Sequence, residues 1–414
     1  MKFCISFGNF ELKYFFYCAL FIILEILIDY FIYYKEEKII TEHNLMHSFC
    51  FFFGYLLNII PTYISHIISK EKEKPLTNKL NEENNHSIEY IYNQPYEKYL
   101  STKDIIKLLF ICLIILLTDI IEDIGIIIEN NIDDDTDNNT ENNTNNNGYI
   151  DNKYNDYYIS IEYFFIFLIS KLLCKQVYYN HQYISFFILF LVGVLKNIYF
   201  YSRNLYHSFN AISIVLYIIY CFFYTIYYFY IKEFMKKKFI SPYKCCFMIG
   251  IINVPIIIII YLIISLTPLG NENSEYYFDN IFNFFKDIGK FGAKSVIKLI
   301  FLPIVYGIYH FIVIKTIYDY TIFHMYIPFL MQYFMENIIR NFNLFDTIFL
   351  ISSFFIELIM IFIFLEIIEI NFCGLNKNLK RNIELRSLTE SSLSIENDDD
   401  DEIVDEKNDE TTQL

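Results

Sequence analysis

Tryptophan is absent from this 414-residue chain, glycine totals 11, proline 8, and alanine occurs only at positions 19, 211 and 293. So little glycine leaves no phosphate-cradling loop: there is no P-loop, no G-x-S-x-G and no Rossmann fingerprint. H-E-x-x-H is also missing, and the eight histidines form no metal-spaced pair with acids. The nine cysteines (4, 18, 50, 112, 174, 221, 245, 246 and 373) show no C-x-x-C spacing, so neither a zinc site nor a disulfide framework is expected. Charge is scarce too. Only 19% of residues are charged, against about 25% in soluble domains, which excludes a disordered chain or a purely soluble enzyme.

What fills the chain is apolar. Hydrophobic residues make up 55% and aromatic residues 20%, with a mean hydropathy of +0.33. Isoleucine, phenylalanine, tyrosine, asparagine and lysine dominate, the usage an AT-rich genome imposes. Ten segments reach the roughly 20 mostly apolar residues that cross a bilayer: 12–34, 45–69, 104–128, 157–175, 182–201, 209–231, 245–267, 295–315, 321–340 and 346–372. Period-2 alternation does not organise them, which disfavours a membrane β-barrel. The first segment carries Glu25 and Asp29 and no small-residue cleavage site follows it, so it is expected to be retained.

The net charge of −16 is confined to two places: 129–156 holds eight acids against Lys153, and 396–410 holds ten against Lys407. Both read as solvated segments, and the balance speaks against a nucleic-acid partner. With both termini in the cytosol, inside segments hold nineteen lysines and arginines and outside segments eight, as the positive-inside rule requires. The Asn-rich loop 129–156 then lies outside, where Asn138 and Asn142 head glycosylation sequons; low-complexity sequence also generates sequons by chance. The stretch 278–288 has helical apolar spacing (Phe278, Ile281, Phe282, Phe285 and Ile288) and is expected to lie on the membrane surface. The tail from 387 reads as disordered.

A short motif recurs in the second and seventh segments. Cys50-Phe51-x-x-Gly54 is followed by Asn58 and Pro61, and Cys246-Phe247-x-x-Gly250 by Asn253 and Pro255. Five helices per repeat place two halves in opposite orientations. Further along, 159–197 resembles the fourth-helix, short-turn, fifth-helix unit of the drug/metabolite transporter superfamily, on Leu172, Leu173, Lys175, Gln182, Gly193 and Val194. Stretch 217–253 is similar to the sixth-to-seventh-helix connection of its solute carrier 35-like members, on Lys236, Lys237, Lys238, Ser241, Pro242 and Tyr243, and 365–386 looks like the end of uncharacterised members. The Asn-rich insertion and the scarcity of small residues depart from that pattern.

The resemblance implies an all-α polytopic membrane protein of ten transmembrane helices in two inverted five-helix repeats, 1–201 and 202–386, with a cytosolic linker at 70–103 and an acidic tail at 387–414. It implies a non-enzymatic secondary transporter of a small polar solute, of nucleotide-sugar or metabolite class, in an endomembrane (Golgi, endoplasmic reticulum or vacuole). Expected partners are the lipid bilayer and a small-molecule substrate; a homodimer is left open, and no cofactor is expected. The competing class is a non-transporting receptor or scaffold whose acidic tail recruits cytosolic proteins; an ion channel and a lipid enzyme are weaker alternatives.

Candidate site residues are the polar side chains that a bilayer makes costly, at about 2.5–3.5 kcal/mol each on insertion scales. Asp119, Glu122 and Asp123 share one helix face. They read either as a proton- or cation-linked cavity site or as acids solvated near the outer loop. Glu25 and Asp29 form a second one-face pair. Glu357 lies mid-segment with no basic neighbour within a turn, the pattern of a cavity-facing or protonated acid. Lys196 and Lys298, one turn inside the outer ends, read as snorkelling cations or as ligands for an anionic cargo. Tyr306 and His310, four apart, could hydrogen-bond a ligand, and Gln332 shares a face with Glu336. Pro61, Pro255, Pro303 and Pro328 can kink their helices.

Overall fold

A computed structural model describes residues 5–7, 12–33, 44–65, 67, 101–137, 159–173, 175–202, 211–267, 280–288, 290, 293–339 and 344–370. A helix satisfies its backbone hydrogen bonds locally, so runs of isoleucine and phenylalanine form helices wherever water is excluded. Each of the ten apolar segments contains one. They are α1 (Leu12–Tyr33), α2 (Asn44–Leu57), α3 (Thr102–Asp137), α4 (Ile159–Leu172), α5 (Asn180–Ser202), α6 (Ala211–Lys238) and α7 (Pro242–Ser265). After α8 (Ile281–Ile288) follow α9 (Ala293–Asp319), α10 (Tyr326–Ile339) and α11 (Leu344–Phe364). A 3₁₀ turn, Ile322–Met325, leads into α10.

Seven of these helices are long and apolar enough to cross a membrane: α1, α2 with its continuation, α5, α6, α7, α9 and α11. This is a multi-pass membrane protein. The other three expected spans fall short for separable reasons. Helix α3 has 36 residues, but Lys107, Asp119, Glu122 and Asp123 interrupt its apolar stretch. Helices α4 and α10 have 14 residues each, about 21 Å at 1.5 Å per residue against a hydrocarbon core of about 30 Å. Outward faces carry exposed Phe187, Ile198, Ile259, Ile263 and Phe355, the surface lipid would cover.

The boundaries follow local chemistry. Pro61 cannot donate to the carbonyl four residues back, and α2 breaks after Leu57 at Asn58 before helical residues 59–65 resume. Pro242 opens α7 at a position where its missing N–H costs nothing. Phe239 and Glu366 adopt left-handed backbone (φ 56° and 59°) just past α6 and α11, and Ile240 and Ile367 then donate back to Met235 and Phe362 at 3.1 and 2.9 Å. Helix α3 runs nine residues beyond the expected span, because apolarity marks the membrane edge and not the end of a helix. Helix α8 buries Phe284 and exposes Phe282 and Phe285. Asn138, Asn142 and Phe278 lie outside the described residues.

Helix α2 sits at the centre of the bundle, packed between α7 and α9. Helix α3 packs on α6, α1 on α9 and α10, α4 on α5 and α6, α10 on α11, and α5 on α11. Gly54 and Gly250 make the central approach physically possible. A Cβ at Gly250 would meet the Leu56 amide nitrogen at 2.3 Å, and one at Gly54 would meet the Gly307 nitrogen at 2.8 Å. Two short strands close the ends of the chain together: Ile5–Phe7 pairs antiparallel with Ile368–Ile370, Phe7 opposite Ile368. Ile5–Phe7 and Ile368–Ile370 therefore lie on one face of the bundle.

Candidate functional site

Tyrosine lines one face of α6. Tyr217, Tyr220, Tyr224 and Tyr228 recur at intervals of three and four residues, the spacing of one helical stripe. Tyr217 and Tyr220 have ring centroids 5.2 Å apart, Tyr220 and Tyr224 5.4 Å, and Tyr224 and Tyr228 4.4 Å; the Tyr228 hydroxyl donates to that of Tyr224. Carboxylates of three other helices act electrostatically on this stripe. Glu25 of α1, Glu122 of α3 and Glu162 of α4 all lie within electrostatic range of Tyr224. Tyr309 of α9 directs its hydroxyl at Glu25, and Tyr326 of α10 faces Glu162. Glu122 is exposed and interacts with Tyr220 on α6, whereas Tyr228, Tyr309 and Tyr326 lie in the packed core of the bundle. Glu162 is the reverse: it is only 8% exposed. Its carboxylate engages the Tyr326 hydroxyl, the Tyr163 hydroxyl is buried without a hydrogen-bond partner among the described residues, and the two rings lie 3.9 Å apart.

Several expected site residues are used elsewhere. Lys196 neither reaches outward to water nor stands free for a cargo: it is 3% exposed, and its Nζ donates to Glu357 Oε1 and Oε2 at 2.9 and 3.0 Å while lying 4.5 Å from the Tyr333 ring centroid. Glu357 thus acquires the cation its own helix lacks, because α5 packs against α11. Residues in contact across two helices leave no signal in the spacing along either one. Tyr306 hydrogen-bonds His47 at 2.5 Å, while His310 meets the Phe51 carbonyl at 3.1 Å and stacks on Tyr55 at 3.7 Å. Both residues tie α9 to α2.

On α3, Asp123 accepts a hydrogen bond from Ser48 Oγ at 2.8 Å, and Asp119 is buried with Oδ2 unpartnered among the described residues. The three acids of one helical face are thereby divided: two are buried against α2 and the third, Glu122, turns to the tyrosine stripe. Lys298 lies over the Tyr30 ring at 5.4 Å, and Gln332 is buried on α10. The side chains of Asp29 and Glu336 lie outside the described residues. Glu162 and the α6 stripe were missed by sequence reasoning. Their signal was the three-and-four spacing of tyrosines in 217–228, submerged among 38 tyrosines.

At the end of the bundle that holds the C-termini of α6 and α9, charges join facing helices. Asp319 pairs with Lys13 of α1 and Lys315, each at 2.8 Å. Asp104, capped by Ser101 Oγ at 2.7 Å, pairs with Lys238 of α6 at 2.6 Å. Lys232 donates to the Tyr320 carbonyl at 2.5 Å. These contacts hold α1 to α9 and α3 to α6.

No protein-family model matches this chain, and no characterised protein matches it in sequence.

Proposed function

We propose that this protein is a secondary transporter that moves a small polar organic solute by alternating access, built as two inverted five-helix halves, 1–201 and 202–386. Helical packing carries the reading. Exchanging α1 to α5 with α6, α7, α9, α10 and α11, in order, turns the α1–α9 contact into α6–α3, α1–α10 into α6–α4, α4–α5 into α10–α11 and α2–α9 into α7–α3, while α2–α7 and α5–α11 map onto themselves. The recurring motif obeys the same exchange. Asn58 donates to the Gly307 carbonyl of α9 at 3.1 Å, and Asn253 to the Cys112 carbonyl of α3 at 3.2 Å. Each is the same residue of the motif, reaching the equivalent helix of the other half.

The pairing of Ile5–Phe7 with Ile368–Ile370 supports an even number of crossings. Seven spans alone would leave those strands on opposite faces. Adding α3, α4 and α10 gives ten, and five per half makes the halves antiparallel. The excess of lysine and arginine favours the cytosol for the strand-paired face. In that orientation the ion pairs Lys13–Asp319 and Asp104–Lys238, which join helices of opposite halves, seal the cytosolic end. Glu25, Glu122 and Glu162 of the first half meet the tyrosines of α6 and Tyr326 of the second, at the boundary where a site opened alternately to two sides would lie.

The test is uptake of a radiolabelled solute panel into proteoliposomes holding the full chain. Uptake of at least one solute above that of protein-free vesicles is expected. Equal uptake across the panel would remove the transport reading.

A further inference from the structure

On the outside of the bundle, α3 and α6 pack side by side, and two contacts set their register where α3 begins and α6 ends. Lys238 Nζ of α6 lies 2.6 Å from an Asp104 carboxylate oxygen of α3. Farther into the spans, the Phe110 and Tyr230 rings have centroids 5.8 Å apart. On α3, Lys103, Lys107 and Phe110 are spaced four and three residues apart, with Ile106 among them, so they share one helical face. All four are exposed. On α6, Tyr230 and Lys237 are two turns apart on one face and are exposed as well. The antiparallel register brings Lys103 level with the turn that holds Lys237 and Lys238, and Phe110 level with Tyr230. The seam therefore presents apolar surface along its inner part and ammonium groups at its outer rim.

Protein acids do not balance the charge at that rim. Residues 101–110 and 230–240 hold six lysines (103, 107, 232, 236, 237 and 238) and two acids, Asp104 and Glu233. Both acids are already paired, Asp104 with Lys238 and Glu233 with Lys237, and Lys232 donates to the Tyr320 carbonyl. Lys103 and Lys107 pair with no acid among the described residues. Lysines that only oriented the helices would serve equally well scattered over the rim. Here two stand one turn apart directly above an exposed apolar seam.

That order matches the two ends of a phospholipid. Ammonium groups donate and cannot accept, so they suit the oxygens of a phosphate. The long stem of Lys107, a turn inside the helix, lets its charge reach the headgroup level. A zwitterionic headgroup would bring its own cation beside the lysines, whereas an anionic one leaves a net attraction, and anionic lipid is concentrated on the cytosolic side that the charge balance favours for this end. We propose that the α3–α6 seam is a docking site for an anionic phospholipid. Lys103 and Lys107 hold its headgroup with Lys237 beside them, and one acyl chain lies over Ile106, Phe110 and Tyr230. The proposal is independent of the transport reading.

Native mass spectrometry of the full-length protein in neutral detergent measures lipid retention directly. Titration with phosphatidylserine and phosphatidylinositol phosphate is expected to give bound lipid at concentrations where phosphatidylcholine gives none. Lys103→Gln combined with Lys107→Gln should weaken anionic-lipid binding about 25-fold, roughly fivefold for each lysine at a membrane surface. Lys171→Gln, at an exposed lysine on α4, should leave binding unchanged. The melting temperature in detergent checks that each variant is folded; should the double variant not fold, Phe110→Ala, which keeps every charge, is expected to weaken binding severalfold. Equal retention of phosphatidylcholine would overturn the site, as would undiminished binding by the folded variants or equal losses in the double variant and Lys171→Gln. Displacement of phosphatidylserine by equimolar glycerophosphoserine would reveal a site for a free phosphate and overturn the lipid assignment.

Discussion

Lys196 and Glu357 bury opposite charges that are tolerable only together. The lysine is enclosed by α5, α11 and the Tyr333 ring, so removing one partner strands the other in a medium that cannot solvate it. Lys196→Met should cost about 3 kcal/mol of stability or more, while Lys196→Met with Glu357→Leu should recover most of the loss, since an apolar pair of similar volume often matches a buried ion pair. Thermal unfolding of the purified protein in detergent reads both. Equal destabilisation by the single and double variants would show that the pair contributes shape rather than charge. The two carbonyl-binding asparagines, Asn58 and Asn253, work by a gentler version of the same rule: each buried amide finds on the facing helix a backbone oxygen to donate to, which lipid could not supply.

Among the helices, close approach decides the architecture. Helix α2 can lie between α7 and α9 only because Gly54, Gly250 and Gly307 present no side chain at the crossing. Gly250→Ala places a methyl 2.3 Å from the Leu56 nitrogen and 2.6 Å from its Cα. Backbone atoms cannot turn aside as a flexible side chain could. The expected result is a loss of about 1–3 kcal/mol from overpacking, seen as a lower melting temperature and reduced yield of folded protein, whereas Gly125→Ala, with open space around the site, should be neutral. Similar melting temperatures for the two variants would argue against a tight α2–α7 crossing. Of the eleven glycines in the chain, Gly54, Gly250 and Gly307 meet at this central crossing.

At the scale of the whole molecule, the decisive feature is that Ile5–Phe7 meets Ile368–Ile370. On the proposed ten-span topology, which the pairing of Ile5–Phe7 with Ile368–Ile370 supports, epitope tags on the N- and C-termini should be accessible from the same side of the membrane in selectively permeabilised cells. Tags on opposite sides would break the two-halves reading. Much of this organisation is legible in the chain. The ten helices fall where apolar runs of sufficient length occur, because a segment in hydrocarbon has no alternative to helical hydrogen bonding. The C-F-x-x-G repeat flags the two helices that meet at the centre. The site is less legible: of the carboxylates at the tyrosine stripe, Glu25 stands out as a mid-span acid, but Glu162 lies one turn inside α4, where an acid near a helix start draws no notice.

Length, apolar runs and the clustering of positive charge are properties of segments, and the sequence by itself determined the membrane class, the helices and their approximate ends from them. Pairing is a property of two segments brought together. Only the tertiary structure decided that Lys196 belongs to Glu357, that Tyr306 and His310 serve the α2–α9 seam, and that acids from α1, α3 and α4 face one tyrosine stripe. The physical reason is range: backbone hydrogen bonding and hydrophobicity act within a turn or a span, while the partner of a buried charge is chosen by which helices pack, and residues 161 positions apart share no local signal.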